Sequence, residues 1–379
     1  MSEMAIDIGP GGNGPPSPRA NPDLIGHEAQ ERLLLETLLD SGRMAHAWLI
    51  NGPRGIGKAT LAYRFARYLL ASGAAGGKGP GLFGNMLPMA GDDGLFVDPD
   101  SPVFNRVAAS SHADLLSIER TENDRGKLRT EIVVNDIRSI ASFLNLTAAE
   151  GGWRVVVIDS ADEMNRNAAN AVLKVLEEPP DYALLLLVSH NPGLLLPTIR
   201  SRCRPLALSP LSNDAVTTML RRNFLDLSQA DAALLAHLAD GSIGRAIDLA
   251  GEGGLEIYRE LISLLKTLPE LDAVRLHDFG SRLAKTGADQ AFRTGTELLT
   301  WWLGRLIRTL CATNAVGGPA LDEAERAEFT RLGRAATLDR WFQVWEKITR
   351  LLARTSSANL DRKQVVLNVL LALEDTVRR

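Results

Sequence analysis

The chain has 379 residues and a formal net charge of -4, with 45% hydrophobic and 23% charged residues. This length exceeds what one compact core uses and predicts roughly two or three domains, each with its own apolar interior. The slightly acidic balance lacks the basic excess of a protein that binds nucleic acid over a large surface. Any contact with DNA is therefore expected to be local or to go through partner proteins.

Cysteine content and hydropathy bear on the compartment. Cys203 and Cys311 are the only cysteines, so the chain alone cannot build a disulfide framework or a four-cysteine zinc site. The longest apolar runs, such as Ala183–Ser189, are far shorter than the ~20 residues that cross a bilayer. The amino terminus also lacks a basic-then-apolar export signal. We therefore predict a cytoplasmic protein that does not span a membrane.

Composition divides the chain into four segments. Residues 1–20 are crowded with Gly and Pro and bury too little apolar surface to offset ordering entropy, which predicts a disordered tail. Residues 21–210 alternate β-like runs with helical patterns, which is typical of a parallel sheet with crossover helices. A small helical unit over 211–253 and an all-helical segment over 254–379 are predicted to follow.

The α/β segment is predicted to contain a five-stranded parallel sheet. Residues 71–111 are rich in Gly and small side chains and predict a loose insertion between its first two strands. Short apolar runs indicate the strands, which we place at His46–Asn51, Ala113–Glu119, Trp153–Asp159, Ala183–Ser189 and Arg204–Ser209.

Apolar residues of the carboxyl-terminal segment recur at helical spacing. The tryptophans of this segment are expected to pack in a core rather than to form a ligand cage. They are Trp301, Trp302, Trp341 and Trp345, and the apolar stripe of the same segment contains Leu299, Trp302, Leu303, Leu306 and Leu310.

The stretch Asn51–Leu61, NGPRGIGKATL, has the pattern of a phosphate-binding loop between a strand and a helix. Gly52, Gly55 and Gly57 permit backbone angles that side chains forbid, so the loop N–H groups can converge on phosphate at the helix amino terminus. Lys58 adds a positive charge. A Gly-rich turn that only caps the helix is the alternative, but loop, lysine and flanking elements together favour a nucleotide site.

The residue after the motif lysine departs from the pattern. Ala59 stands where a Ser or Thr hydroxyl normally ligates Mg²⁺. Thr60 is the next residue, but one step along a helix turns a side chain by ~100° about the axis, so we expect Thr60 to point away from the metal. The sequence therefore predicts weak retention of Mg²⁺.

A second departure follows the predicted strand WRVVVID. Asp159 lies at its carboxyl end, where an aspartate that holds Mg²⁺ through water is expected. Ser160 follows in place of the glutamate that polarises the attacking water, and a neutral hydroxyl is a poor base. Asp162 and Glu163 lie beyond the strand end and are interpreted as solvated turn or helix-start residues. The pocket is predicted to bind ATP or another nucleotide with little or no turnover.

Two further motifs follow the phosphate loop: Asn170–Pro180 reads NAVLKVLEEPP, and Ser201–Cys203 reads SRC. Together with the loop they resemble the motifs of the clamp-loader AAA+ ATPases of bacterial DNA polymerase III, which include the signature N-A-L-L-K-x-L-E-E-P-P and an S-R-C motif. The resemblance covers residues 24–208. It implies a P-loop AAA+ domain, a helical lid and an all-α carboxyl-terminal collar domain for oligomerisation.

The resemblance also implies roles for two arginines. Arg202 of the S-R-C motif corresponds to an arginine finger that acts on the ATP site of a neighbouring subunit. Arg200 and Arg204 flank it, and in an extended segment all three would share one face, so the motif alone selects Arg202. Three solvated surface arginines are the alternative. GSIGRAIDLA is similar to the segment that carries the sensor-2 arginine, which implies that role for Arg245.

The implied function is that of a stator-type subunit that helps to load the sliding clamp onto primed DNA during replication. Its expected partners are the gamma/tau and delta subunits, with the clamp and the primer-template DNA reached through the complex. The alternative is an active gamma/tau-like ATPase that tolerates Ala59 and Ser160. The two missing groups favour the stator.

The insertion departs from the family pattern. Many family members carry a four-cysteine zinc module after the P-loop helix, but residues 71–111 contain no cysteine, so we predict no metal there. His27 lies where the family folds its amino-terminal segment over the adenine base. A lone His before a helix is more often a cap or surface residue.

Overall fold

The computed structural model describes residues 15–39, 45–72, 94–123, 126–149, 152–285, 287–312, 323–358 and 360–378. The chain divides into two compact units, Met1–Arg245 and Ala246–Arg379. Most of the predicted amino-terminal tail and the centre of the predicted insertion lie outside the described residues. The predicted domain boundaries after residues 210 and 253 stay predictions.

The first unit contains a five-stranded parallel sheet in the order β2-β3-β4-β1-β5. The five predicted strands are confirmed; β4 has the predicted bounds, and the other four are shorter by one or two residues at one or both ends. Strands β3 and β4 are buried along their whole length, which explains their continuous apolar sequences. The bounds are β1 Ala47–Asn51, β2 Leu115–Ile118, β3 Arg154–Ile158, β4 Ala183–Ser189 and β5 Arg204–Ala207.

Alternate strand residues enter two apolar cores, one on each face of the sheet. Ile50 and Leu186 pack with α1, α2 and α3 on one face, and Leu49 and Leu187 pack with α4, α5 and α6 on the other. The bounds of these helices are α1 Glu28–Leu39, α2 Lys58–Ala71, α3 Pro102–Ala108, α4 Val134–Leu144, α5 Arg166–Glu177 and α6 Pro197–Arg200.

Helix α3 corrects the prediction of a loose insertion over residues 71–111. Ser101 accepts a hydrogen bond from the backbone N–H of Phe104, and Pro102 occupies the first turn, both of which favour a helix start. Phe104 and Val107 then enter the interior of the unit. The described part of the insertion is therefore ordered because a short helix fixes it.

Helical elements follow the sheet. They are α7 Asn213–Asn223, α8 Gln229–Leu238 and α9 Ile243–Gly251, and then, in the second unit, α10 Gly254–Leu265, α11 Ala273–Leu283, α12 Asp289–Ala312, α13 Glu323–Ala335, α14 Leu338–Ser357 and α15 Arg362–Arg378. The sheet and the helical second unit confirm the predicted fold class. No helix in the described ranges has the length and apolar character needed to cross a bilayer.

The tryptophans of the second unit pack largely as predicted. Trp301, Trp302 and Trp341 are buried, whereas Trp345 on α14 is 36% exposed and departs from the expected core position. The ring of Trp302 meets that of Phe329 edge to face, with 5.7 Å between the centroids. Most of the predicted apolar stripe on α12 is therefore core.

Candidate functional site

The predicted phosphate loop connects β1 to α2, at the carboxyl edge of the sheet. Gly52 and Gly55 have φ angles of 148° and 72°, and a Cβ added at Gly55 would lie 2.3 Å from the Oγ of Ser242. Gly57 occupies the cap position of α2 with a left-handed backbone. These glycines are needed for the path of the loop, and its N–H groups lie at a helix amino terminus, where phosphate is favoured.

The loop contacts the first turn of α9. The backbone N–H of Gly244 donates to the carbonyl of Gly55 at 2.9 Å, and a Cβ at Gly244 would lie 3.0 Å from the Cα of Gly55. Arg245 is half-buried, and its backbone N–H donates to the Oγ of Ser242. Arg245, the predicted sensor-2 arginine, therefore comes directly after Gly244, which contacts the phosphate loop.

His27 also contacts the loop. Its side chain is 2% exposed, and its Nε2 lies 2.7 Å from the carbonyl oxygen of Ile56. His27 precedes α1 and its carbonyl accepts the first helical hydrogen bond, from Glu31. The expected cap position is therefore confirmed, whereas the expectation of a surface side chain is wrong, because the amino-terminal segment packs against the loop.

Lys58 is buried at the base of the loop. Its side chain is 3% exposed, and its Nζ donates to the carbonyl of Pro53. Burial lowers the pKa of Lys58 to about 8, while the charges of Asp159 and Asp162 oppose that shift. The ammonium group thus lacks full compensation, and a phosphate would supply it. The loop and its lysine fit a nucleotide.

The residues after Lys58 do not supply the missing hydroxyl. Ala59 is partly exposed at the start of α2, and Thr60 is buried, at 8% exposure. The position of the expected metal ligand therefore carries a methyl group, and Thr60 belongs to the packed side of the helix. These residues do not fit a tightly held Mg²⁺.

Asp159 and Ser160 follow β3 at the same edge of the sheet. Burial and the charge of Glu119 raise the pKa of Asp159. Ser160 has a left-handed backbone, with φ 57° and ψ 50°, and its Oγ lies 3.2 Å from Nε2 of His190. Burial and the charge of Lys58 lower the pKa of His190 to about 4, so its imidazole is neutral at physiological pH.

His190 is a site residue that the sequence did not single out. It follows β4, and β4 lies between β3 and β1 in the sheet. The sequence signal for it was available, because the first polar residues after neighbouring parallel strands meet at one edge of a sheet.

The acidic pair beyond β3 has structural contacts. Asp162 accepts hydrogen bonds from the backbone N–H groups of His190 and Asn191, at 3.0 and 2.9 Å. Glu163 pairs with Arg120 at 3.0 Å. Both acids lie in a short 3-10 helix, which agrees with the expected turn. Their side chains are half-buried, so the expectation of solvated side chains is wrong. Asp162 therefore fixes the loop that carries His190.

The S-R-C motif lies between α6 and β5. One terminal nitrogen of Arg202 pairs with Oε1 of Glu177 at 2.9 Å, and its side chain is 36% exposed. The other terminal nitrogen donates to the carbonyl of Thr198 at 3.1 Å. Cys203 is buried, and burial raises the pKa of its thiol to about 12. The motif thus anchors a buried thiol and presents a guanidinium to solvent.

The three arginines of this segment do not share one extended face, and that expectation is wrong. Arg200 ends α6, Arg202 lies in the turn that follows, and Arg204 begins β5. The guanidinium of Arg204 stacks over the ring of Trp48 at 4.7 Å from the centroid. A helical turn breaks the alternation on which the expectation depended.

Clusters of metal-binding side chains are the remaining kind of candidate site. Within the described ranges, no group of three or more His, Cys, Asp or Glu side chains could hold a metal ion. The predicted absence of zinc stays a prediction, because residues 73–93 of the insertion lie outside those ranges.

The chain is similar in sequence to subunits of DNA polymerase III. A family model described as DNA polymerase III, delta subunit, matches residues 91–212. The DNA polymerase III subunit delta' of Pseudomonas aeruginosa is 36% identical over 228 residues, which are 59% of this chain and 61% of that protein. Subunit delta' of Escherichia coli is 34% identical over 214 residues, 55% of each chain. These matches support the resemblance to delta-prime subunits.

The chain is also similar to gamma and tau subunits of DNA polymerase III. Subunit gamma of Buchnera aphidicola is 27% identical over 252 residues, 63% of this chain and 62% of that protein. The chain spans roughly three fifths of the length of the delta-prime relative from Pseudomonas aeruginosa. The individual site residues, from Gly52 to Arg245, stay predictions, as does the role of Arg202.

Proposed function

We propose that this chain is the stator of a clamp loader, which supplies Arg202 in trans and hydrolyses little or no ATP itself. One observation carries the proposal. The same α/β unit presents the guanidinium of an S-R-C motif to solvent, while the metal-ligand position of its own phosphate loop is Ala59. The arginine that would act on a neighbouring subunit is therefore present, whereas the chain's own phosphate loop lacks the hydroxyl that ligates Mg²⁺.

Hydrolysis in the chain's own pocket lacks two groups. Ala59 cannot ligate Mg²⁺, and Ser160 stands where a general base is needed. His190 lies next to Ser160, but an imidazole whose pKa is about 4 is a weak base at neutral pH. Its presence therefore does not restore the missing function.

Binding of ATP or another nucleotide is a separate property, and we propose that the pocket retains it. The loop N–H groups, Lys58 and the neighbouring Arg245 offer donors and positive charge to phosphate. Asp159 directly follows β3, and its charge acts on Lys58. Nucleotide would then act as a structural ligand.

The proposed partners follow from the resemblance to delta-prime subunits. The chain would join gamma/tau and delta subunits through its helical second unit, in the cytoplasm, and would reach the sliding clamp and primed DNA through that complex. An arginine finger stabilises charge on the transferring phosphoryl group and accelerates transfer by ~10³ to 10⁵. This corresponds to roughly 4 to 7 kcal/mol of barrier.

A second candidate function is that of a gamma/tau-like motor. It is favoured by the intact Gly and Lys positions of the phosphate loop and by the similarity to subunit gamma. Turnover of ATP by the purified chain separates the two functions. Sustained turnover at about 1 s⁻¹ or faster, as in a competent enzyme, would support the motor.

The test of the stator uses Arg202→Ala in the complex reconstituted with its partner subunits. We expect normal assembly and a loss of at least ~10²-fold in ATP hydrolysis at the one site that this subunit completes. Arg200→Ala is the matched control, because Arg200 is an exposed arginine only two residues away. Unchanged hydrolysis at every site of the Arg202→Ala complex would contradict the proposal.

A further inference from the structure

We propose that Glu177 is the positioning residue for Arg202. This inference rests on the proposed function, since it assigns Glu177 a role in presenting the finger to the neighbouring ATP site. Oε1 of Glu177 lies 2.9 Å from a terminal nitrogen of Arg202, so a surface carboxylate holds the guanidinium before any partner arrives.

The carboxylate comes from a well-fixed helix end. Glu177 is the last residue of α5, whose first turn is capped by the side chain of Asn165. Val172 and Leu176 of the same helix are buried, and Pro179 prevents the helix from continuing. The backbone of Glu177 is therefore held by core packing on one side and by the helix stop on the other.

Arg202, the other member of the ion pair, is also held in place by its own surroundings. Ile199 and Cys203 are buried on either side of Arg202, which fixes the backbone of the turn. The carbonyl of Thr198 accepts a second hydrogen bond from the guanidinium at 3.1 Å. Two acceptors on separate elements, α5 and α6, thus define one orientation of a long and otherwise mobile side chain.

The two contacts leave donors for a phosphate. A guanidinium has five N–H groups, and Glu177 and Thr198 accept from its two terminal nitrogens. The remaining N–H groups, on a side chain that is 36% exposed, can meet an acceptor from another chain. Orientation before docking reduces the rotamer entropy that arginine loses when it binds.

The ion pair is poorly placed to stabilise the fold. Glu177 and Arg202 are 51% and 36% exposed, and an exposed pair contributes little to folding because water and salt screen it. Arg204, in contrast, stacks on Trp48 of its own sheet. The pair at Glu177 therefore acts on the orientation of Arg202 rather than on the stability of the unit.

The test is ATP hydrolysis by the reconstituted complex at saturating and limiting ATP. Glu177→Ala should lower kcat at the neighbouring site by roughly two- to fivefold, the rate equivalent of an exposed ion pair, with KM for ATP unchanged. Glu177→Gln keeps an acceptor oxygen and should restore most of the rate. Glu178→Gln alters the adjacent exposed carboxylate and should match wild type. The urea midpoint should not move in any of these variants.

A double mutant separates the possible outcomes. If Glu177 acts through Arg202, Glu177→Ala should add no effect in an Arg202→Ala background. An equal loss in both backgrounds, or a faster rate with Glu177→Ala, would overturn the positioning role. If Arg202→Ala lowers the rate while Glu177→Ala leaves it at wild type, the positioning role fails and the proposed function stands. If Arg202→Ala itself has no effect, the proposed function fails.

Discussion

Lys58→Met is expected to stabilise the first unit at neutral pH. Lys58 is buried, at 3% exposure, and its ammonium donates to the backbone carbonyl of Pro53. A charged group in such a place loses more hydration than it regains from neighbours. Methionine has a similar length and volume, so the change removes the charge without leaving a large cavity.

The size of the effect follows from the pKa. Burial lowers the pKa of Lys58 from 10.5 to about 8, and this difference corresponds to roughly 3 kcal/mol at 1.36 kcal/mol per pKa unit. The variant loses the hydrogen bond to Pro53, and this loss reduces the gain in stability by roughly 1 kcal/mol. We therefore expect a net gain of roughly 1 to 2 kcal/mol at pH 7.

The sign of the pH dependence is fixed by the same shift. Below about pH 8 the lysine holds its proton in both states, and the folded chain carries the whole burial penalty. Between about pH 8 and 10.5 the unfolded chain binds more protons than the folded chain, so the stability of the wild type rises with pH. The variant lacks this group, and its advantage should therefore shrink over that range.

The two cysteines allow the first unit to be followed on its own. Cys203 is buried in the first unit and Cys311 is exposed in the second, so pulsed thiol labelling in a Cys311→Ser background reports the opening of the first unit in urea. Wild type and Lys58→Met are compared at pH 7 and at pH 9.5. A variant that is less stable than wild type at pH 7, or whose advantage persists unchanged at pH 9.5, would refute the burial argument.

Two further changes test the phosphate loop. Gly244→Ala should destabilise the first unit by roughly 1 to 3 kcal/mol, because the new Cβ would lie 3.0 Å from the Cα of Gly55. The same thiol labelling measures this loss of stability. Gly251→Ala is the control, because nothing lies within 4 Å of a Cβ added there. Ala59→Ser combined with Ser160→Glu should tighten the binding of Mg²⁺-ATP relative to ATP alone. Calorimetry that finds the same Mg²⁺ dependence as in wild type would contradict our assignment of the metal position.

Much of the α/β architecture was accessible from the sequence because its patterns are local. A fully buried parallel strand such as β4 must be apolar at every position, and the loop at Gly55 and Gly57 requires residues that tolerate positive φ angles. The two departures from the nucleotide-site pattern were equally visible, since Ala59 and Ser160 stand where a hydroxyl ligand and a glutamate are expected.

Contacts between segments that are distant in the sequence could not be predicted from local patterns. The burial of His27 against Ile56, across 29 residues, depends on how the amino-terminal segment returns to the loop. The ion pair of Arg202 with Glu177 depends on the packing of α5 against α6, and no local pattern specifies a distant partner. The helical turn before Arg202 was missed because a four-residue helix is too short to show a period.

We propose that the guanidinium of Arg202 lies at the ATP site of a neighbouring subunit when that subunit hydrolyses ATP. A structure of the assembled complex with a nucleotide transition-state analogue measures this directly. Our account predicts that a nitrogen of Arg202 lies within hydrogen-bonding distance, ~3 Å, of the transferring phosphoryl group in the adjoining subunit. An Arg202 side chain that stays remote from every bound nucleotide in the complex would contradict it.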